Sequence, residues 1–128
     1  MIIPTAYIAH RYGNGTHQVQ NWAEAINWYC WLADRYLIEP IAPWIILTMR
    51  WTDKRRELGM KINEHALSRC THFIACGNLP GLSEGMEREA NMFKRPIINI
   101  TGIPYDVADT MPQEKVDNII LNTGICLR

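Results

Sequence analysis

The chain lacks charge of either sign in excess: 13 lysines and arginines stand against 13 aspartates and glutamates. Without a basic field it has no means to hold a nucleic-acid polymer or an anionic membrane, so both are excluded as partners. A small anion is not excluded, because a helix N-terminus and one or two arginines suffice for that. Long hydrophobic runs are also missing. The longest, "PWIIL", falls far short of the roughly 20 residues that span a bilayer. The four cysteines, Cys30, Cys70, Cys76 and Cys126, form no CxxC pair. Cys70 and Cys76 lie in or beside apolar runs, where thiols pack as small hydrophobes. With no signal peptide either, the reading is a reduced, cytoplasmic protein. No His/Cys/Asp spacing marks a metal site, and His65 and His72 read as surface or structural side chains.

What is present is enough for one domain. At 128 residues the chain can bury roughly two-thirds of its unfolded surface, so residues 1–128 are taken as a single unit. Short β-prone runs alternate with helical periodicities. "IIPTAYIA" is a strand, closed by the glycine-punctuated loop "HRYGNG". Residues 17–36 place Val19, Trp22, Ala23, Ile26, Cys30 and Ala33 at helical spacing. "LIEPIAPW" is a second strand, shortened by Pro40 and Pro43. Residues 44–54 are open between a helical turn and a loop. "KRRELGMKINEHALSRC" repeats Leu58, Ile62, Ala66, Leu67 and Cys70 as a helix, and "HFIAC" is a buried strand. A helix over about 84–94 precedes the strand "PIINIT". A last helix is framed by Pro112 at its start and Gly124 past its end. This order implies an α/β, Rossmann-like three-layer sandwich on a mostly parallel sheet of four to five strands. Ligands of such sheets sit beyond the carboxyl ends of the strands, where strand order reverses. That rule nominates two loops, "AHRYGNG" and "GNLPGLSEG".

In the second loop Ser83 is a good N-cap, and Gly85 and Met86 would offer free backbone N–H groups to an anion. Glu89 lies four residues past Gly85 and shares its helix face, whereas Glu87 and Arg88 are turned away from it and Glu84 faces solvent. The plainer alternative is a capped helix with solvated glutamates. In the first loop Tyr7 lies in the strand, with His10 and Arg11 at its end. Arg11 can take an anion in bidentate fashion and Tyr7 can hydrogen-bond a carboxylate; equally, Tyr7 can be core and His10 and Arg11 ordinary loop residues. Trp44 and Trp51 can stack on a base or simply pack.

The order and spacing of "AYIAHRYGNG", "PIAPWIIL", "RRELGMKINEHALSRC", "HFIACG" and "LSEGMEREANMFKRPI" resemble a family of small bacterial and phage proteins. That family is similar to the nucleoside 2-deoxyribosyltransferases and the 2'-deoxynucleoside 5'-phosphate N-hydrolases. The resemblance covers roughly residues 5–101. It implies cleavage or transfer at the N-glycosidic bond of a (deoxy)nucleoside 5'-monophosphate. Glu89 would be the nucleophile that attacks C1' and Tyr7 the residue that orients it, as in retaining glycosidases. Ser83, where the transferases carry aspartate and the monophosphate hydrolases serine, implies a phosphorylated ligand held with Gly85 and Met86. His10, Arg11 and Asn63 complete the substrate-binding set. Neither metal nor cofactor is implied; the expected partners are a small nucleotide or nucleoside and further copies of the chain, since related enzymes complete their sites across subunits. Five tryptophans are many for one small core and agree with such an interface.

Three positions depart from the pattern. Asn63 stands where the enzymes keep an aspartate that donates a proton to the leaving base, and an asparagine cannot do so. Thr71 replaces an acidic residue. His10 and Arg11 replace a glycine and a proline. The alternative implied is a nucleotide-binding module that sequesters or senses its ligand without turnover.

Overall fold

The computed structural model describes residues 2–12, 17–49, 53–104 and 113–128. Among these described residues the regular elements are β1 (Thr5–Ala9), α1 (His17–Arg35), β2 (Glu39–Ile41), α2 (Pro43–Met49), α3 (Asp53–Arg69), β3 (His72–Ala75), α4 (Glu84–Phe93), β4 (Ile98–Asn99) and α5 (Gln113–Ile120), with a 3-10 turn at Leu121–Thr123. Pro43 opens α2, where its fixed φ suits a first helical position and its missing N–H is not needed. The segment left open between turn and loop is thus helical to Met49, while Trp51 and Pro112 lie outside the described residues.

The strands form one parallel sheet in the order β2-β1-β3-β4. Tyr7 pairs with Ile41 on one side and Phe73 on the other, so β1 is central. Strand side chains alternate between faces, and two cores result. Ala6, Ile8, Ile74 and Cys76 pack under α1 and α5 with Trp28, Leu32, Val116 and Ile120. Tyr7, Ala9, Phe73 and Ala75 pack under α2, α3 and α4 with Trp44, Leu67, Met86 and Phe93. These are the three layers expected from the alternation of strands and helices. The chain leaves β1 toward β2 and returns past it to β3, so strand order reverses between β1 and β3. The two nominated loops diverge there.

Two helices are turned about their axes from the faces read in the sequence. In α1 the buried line is Ala25, Trp28 and Leu32, while Val19 is 67 % and Ile26 40 % exposed, and Cys30 is exposed as well. Aromatic residues crowd both sides of this helix, so apolar periodicity alone does not fix its phase. In α3, Leu58 is 59 % exposed and Ile62 is also exposed, while Gly59, Asn63, Leu67 and Cys70 turn inward. The inward face carries a glycine and an asparagine because its first half borders a hollow rather than the sheet. Among the described residues, no helix is long and apolar enough to cross a membrane.

Candidate functional site

At the carboxyl ends of β1 and β3 lies an open hollow, with about 590 Å³ of empty space when the solvent at its mouth is included. The loop after β1 contributes His10 and Tyr12, α2 Trp44 and Thr48, and α3 Arg56, Met60 and Asn63. The N-terminal turns of α4 contribute Ser83, Gly85, Met86, Arg88, Glu89 and Met92.

Glu89 is the one carboxylate among these lining residues. The Tyr7 hydroxyl, rising from the centre of the sheet, donates a hydrogen bond to Glu89 Oε2. Tyr7 is fully buried and its ring stacks on Phe73, with centroids 5.6 Å apart, so the hydroxyl has little freedom to leave. Burial pushes the Glu89 carboxyl up to about 7, although the Tyr7 hydrogen bond and the Arg88 charge both favour its ionised form. Burial, then the negative charge and hydrogen bond of Glu89, hold the Tyr7 phenol well above its ordinary range. It stays protonated and serves as a donor. The result is a carboxylate held in one orientation by Tyr7, with burial raising its pKa toward neutrality.

The first turn of α4 follows the sequence in part. Ser83 is the N-cap in extended backbone, and Gly85 lines the hollow with open space where a Cβ would stand. A ligand can therefore approach the backbone there closely. The Met86 N–H is not free, however: it donates to Ser83 Oγ at 3.3 Å. The serine occupies its own cap, so an incoming anion exchanges with a hydroxyl instead of filling a vacant amide. Arg88, read from helical spacing as turned away, lines the hollow, because its long side chain reaches around the helix; it also lies 4.0 Å from the exposed Glu84. Arg56 of α3 is the second cation on the wall. Neither was legible as a site residue, since a charged residue on an outward helix face reads as solvated. Arg11 does not line the hollow. Its charge acts on Glu24 of α1.

Asn63 is 8 % exposed and lines the hollow, and among the described residues its Oδ1 has no hydrogen-bond partner. A buried polar atom left unsatisfied costs about 1–3 kcal/mol, and such atoms are uncommon away from functional sites. Trp44 is both wall and core: its indole N–H donates to the Ile8 carbonyl at 2.8 Å, which fixes the ring, and Tyr12 leans against it. His10, 2 % exposed, is pinned through both ring nitrogens, one on the Arg11 carbonyl and one on Glu24. The site therefore joins Glu89, Tyr7, Ser83, Gly85, Met86, His10 and Asn63 in one place. It adds Arg56 and Arg88 and leaves Arg11 outside the lining. An anionic ligand with an apolar body fits this set: cations and a helix N-terminus for the charge, Trp44, Tyr12, Met60 and Met92 for the body.

Fold and hollow together define a small α/β domain with a tyrosine-held carboxylate at the reversal of its sheet. The chain belongs to the family described as a domain of unknown function (DUF7768), whose model matches residues 4–103 and so takes in every residue of the hollow's lining. No curated protein and no solved structure is matched.

Proposed function

We propose that this protein cleaves or transfers at the N-glycosidic bond of a (deoxy)nucleoside 5'-monophosphate, with Glu89 as nucleophile. The observation that carries this reading is the Tyr7–Glu89 pair, a buried phenol hydrogen-bonded to a half-buried carboxylate that lines the hollow. In the reaction, a Glu89 oxygen attacks C1', the C1'–N bond breaks, and the departing base takes a proton. Water, or a second base, then displaces the carboxylate from C1'. Tyr7 holds the attacking oxygen in place and is relieved of part of its hydrogen bond as charge leaves the carboxylate. Arg56, Arg88, Ser83 and the Gly85 backbone supply the phosphate end, and Trp44 and Tyr12 the wall for a flat ring. Asn63 has no proton to give, so the base is protonated by water at the open mouth.

A second reading, a module that binds a nucleotide without turnover, is favoured by the carboxamide of Asn63 where an acid is needed, and by the burial that pushes the Glu89 carboxyl toward its neutral form. Self-association belongs with either reading. Val19, Ile26, Ile46, Leu58 and Ile62 are exposed apolar side chains on three helices and would gain from cover. The four cysteines are free, in keeping with a reducing setting. The deciding experiment incubates the protein with the common ribo- and deoxyribonucleoside 5'-monophosphates and follows free base by chromatography. Base release by the wild type and none by Glu89→Ala supports the enzyme. Binding by calorimetry with no product supports the module, and neither binding nor product overturns both.

A further inference from the structure

The fourteen-residue separation of His10 and Glu24 hides a three-way junction. His10 Nδ1 lies 2.5 Å from the Arg11 carbonyl oxygen, and its Nε2 lies 2.6 Å from Glu24 Oε2. The other Glu24 oxygen, Oε1, accepts the backbone N–H of Asn78 at 3.0 Å. A carbonyl oxygen only accepts, so Nδ1 must carry a proton. The Nε2 contact then needs one further proton lying between the ring and the carboxylate. The ring itself has no room to turn. It is buried, and Gly77, at φ +137°, lies so close that a Cβ there would stand 3.3 Å from Nε2.

The three partners come from separate elements. His10 begins the loop after β1, Asn78 lies in the loop after β3, and Glu24 is on α1 between them in sequence. These two loops are the ones that diverge at the reversal of strand order, and the hollow opens between them and the helices beyond. The Cys76 N–H still reaches the Ala9 carbonyl, and among the described residues no sheet pairing continues past that bond. Beyond it, Glu24 bridges the two loops.

We infer that His10 and Glu24 are positioning residues: sharing one proton, they form a brace that ties the loop after β1 to the loop after β3 and fixes the wall of the Glu89 hollow. Its effect on ligand binding rests on the reading of that hollow given above; the brace itself does not. Neither residue touches the reacting atoms. Their role is to keep Tyr12 and the His10 ring at one distance from the α4 turn, so that a ligand meets a formed wall instead of ordering one on arrival.

The test uses the full chain with Glu24→Ala and Glu24→Gln. Alanine removes both contacts. Glutamine keeps them, because its Oε1 accepts the Asn78 N–H while its Nε2 donates to a neutral His10 Nε2. Amide hydrogen exchange at Asn78 should speed up at least tenfold in Glu24→Ala and return to within about threefold of wild type in Glu24→Gln. Where the wild type binds a deoxynucleoside 5'-monophosphate, affinity should follow the same order, with loss in alanine and rescue in glutamine. Unchanged Asn78 exchange in Glu24→Ala overturns the brace. Exchange that responds while affinity does not overturns its role in shaping the hollow. If the wild type binds no nucleotide, the proposed function fails, and the Asn78 exchange still decides the brace.

Discussion

Replacing Glu89 by glutamine should make the protein more stable, and increasingly so as the pH rises. The carboxyl sits at the base of the hollow, where burial raises it from its ordinary 4.5 to about 7. Below pH 4.5 the group is protonated in both the folded and the unfolded chain, and its burial carries no charge penalty. Between 4.5 and about 7 the unfolded chain releases the proton while the folded chain keeps it, so stability falls with rising pH. Above about 7 the whole penalty is present. At about 1.4 kcal/mol per pH unit the upper limit is about 3 kcal/mol. The hollow leaves the group partly in contact with solvent, and about 1–3 kcal/mol is the expected size. Glutamine cannot ionise, and its Oε1 can still accept from Tyr7. Urea unfolding of both proteins at ~pH 5 and ~pH 8.5 measures the effect as a difference of differences, in which every other titrating group cancels. The stability gap between Glu89→Gln and wild type should widen by about 1–3 kcal/mol between the two conditions. A gap that stays constant within about 0.5 kcal/mol would show that the carboxyl titrates normally and would refute the buried arrangement.

Further outcomes follow from the same geometry. If Glu89 acts ionised, base release should rise with pH through about 7, and Tyr7→Phe should move that rise to higher pH while lowering the rate, since the lost hydrogen bond favours the ionised form; a pH profile followed by chromatography reads both. Ser83→Asp should cut affinity for a nucleoside 5'-monophosphate at least tenfold while sparing the unphosphorylated nucleoside, as titration calorimetry can show. Leu67→Ala, in the core beneath α3, should lower unfolding free energy by about 2–5 kcal/mol in a denaturant melt. Asp117 accepts from both Arg35 and Tyr36, and these bonds hold its carboxyl below the usual range. Asp117→Asn should therefore be about 1–2 kcal/mol less stable near neutrality, with the deficit shrinking as pH falls below about 4, where the unfolded wild-type chain takes up a proton that the folded aspartate still resists.

The fold was legible in the sequence because its signals are local. Short strands of two to five residues alternate with helices, Ser83 starts α4, and Gly124 stops the last turn in a left-handed backbone. The Tyr7–Glu89 pairing, 82 residues apart, was implied by the family resemblance; spacing alone put Tyr7 inside a strand and Glu89 on the helix face of Gly85, without joining them. What was not legible depends on helix phase and side-chain reach. The face of α1 was misread because tryptophans and tyrosines surround that helix, and only the packing against α2, where the Trp22 indole N–H reaches the Thr48 hydroxyl at 2.8 Å, sets its rotation. The inward Gly59 and Asn63 of α3 defeat a count of apolar positions, because that stretch faces a hollow. Arg88 and Arg56 reach the hollow by side-chain length. The contact between His10 and Glu24 requires knowing both the phase of α1 and the course of the loop after β1.

The outer margin of β2 closes the sheet to other chains. The Glu39 N–H points inward to the Pro4 carbonyl, so the next residue along turns its backbone groups outward. That residue is Pro40, which has no N–H to offer, and its carbonyl already accepts from the Tyr29 hydroxyl at 3.0 Å. A neighbouring molecule looking for a strand to extend finds neither donor nor acceptor on this side, so growth by strand addition is blocked here. Copies of this protein that associate along this side must meet through their helices.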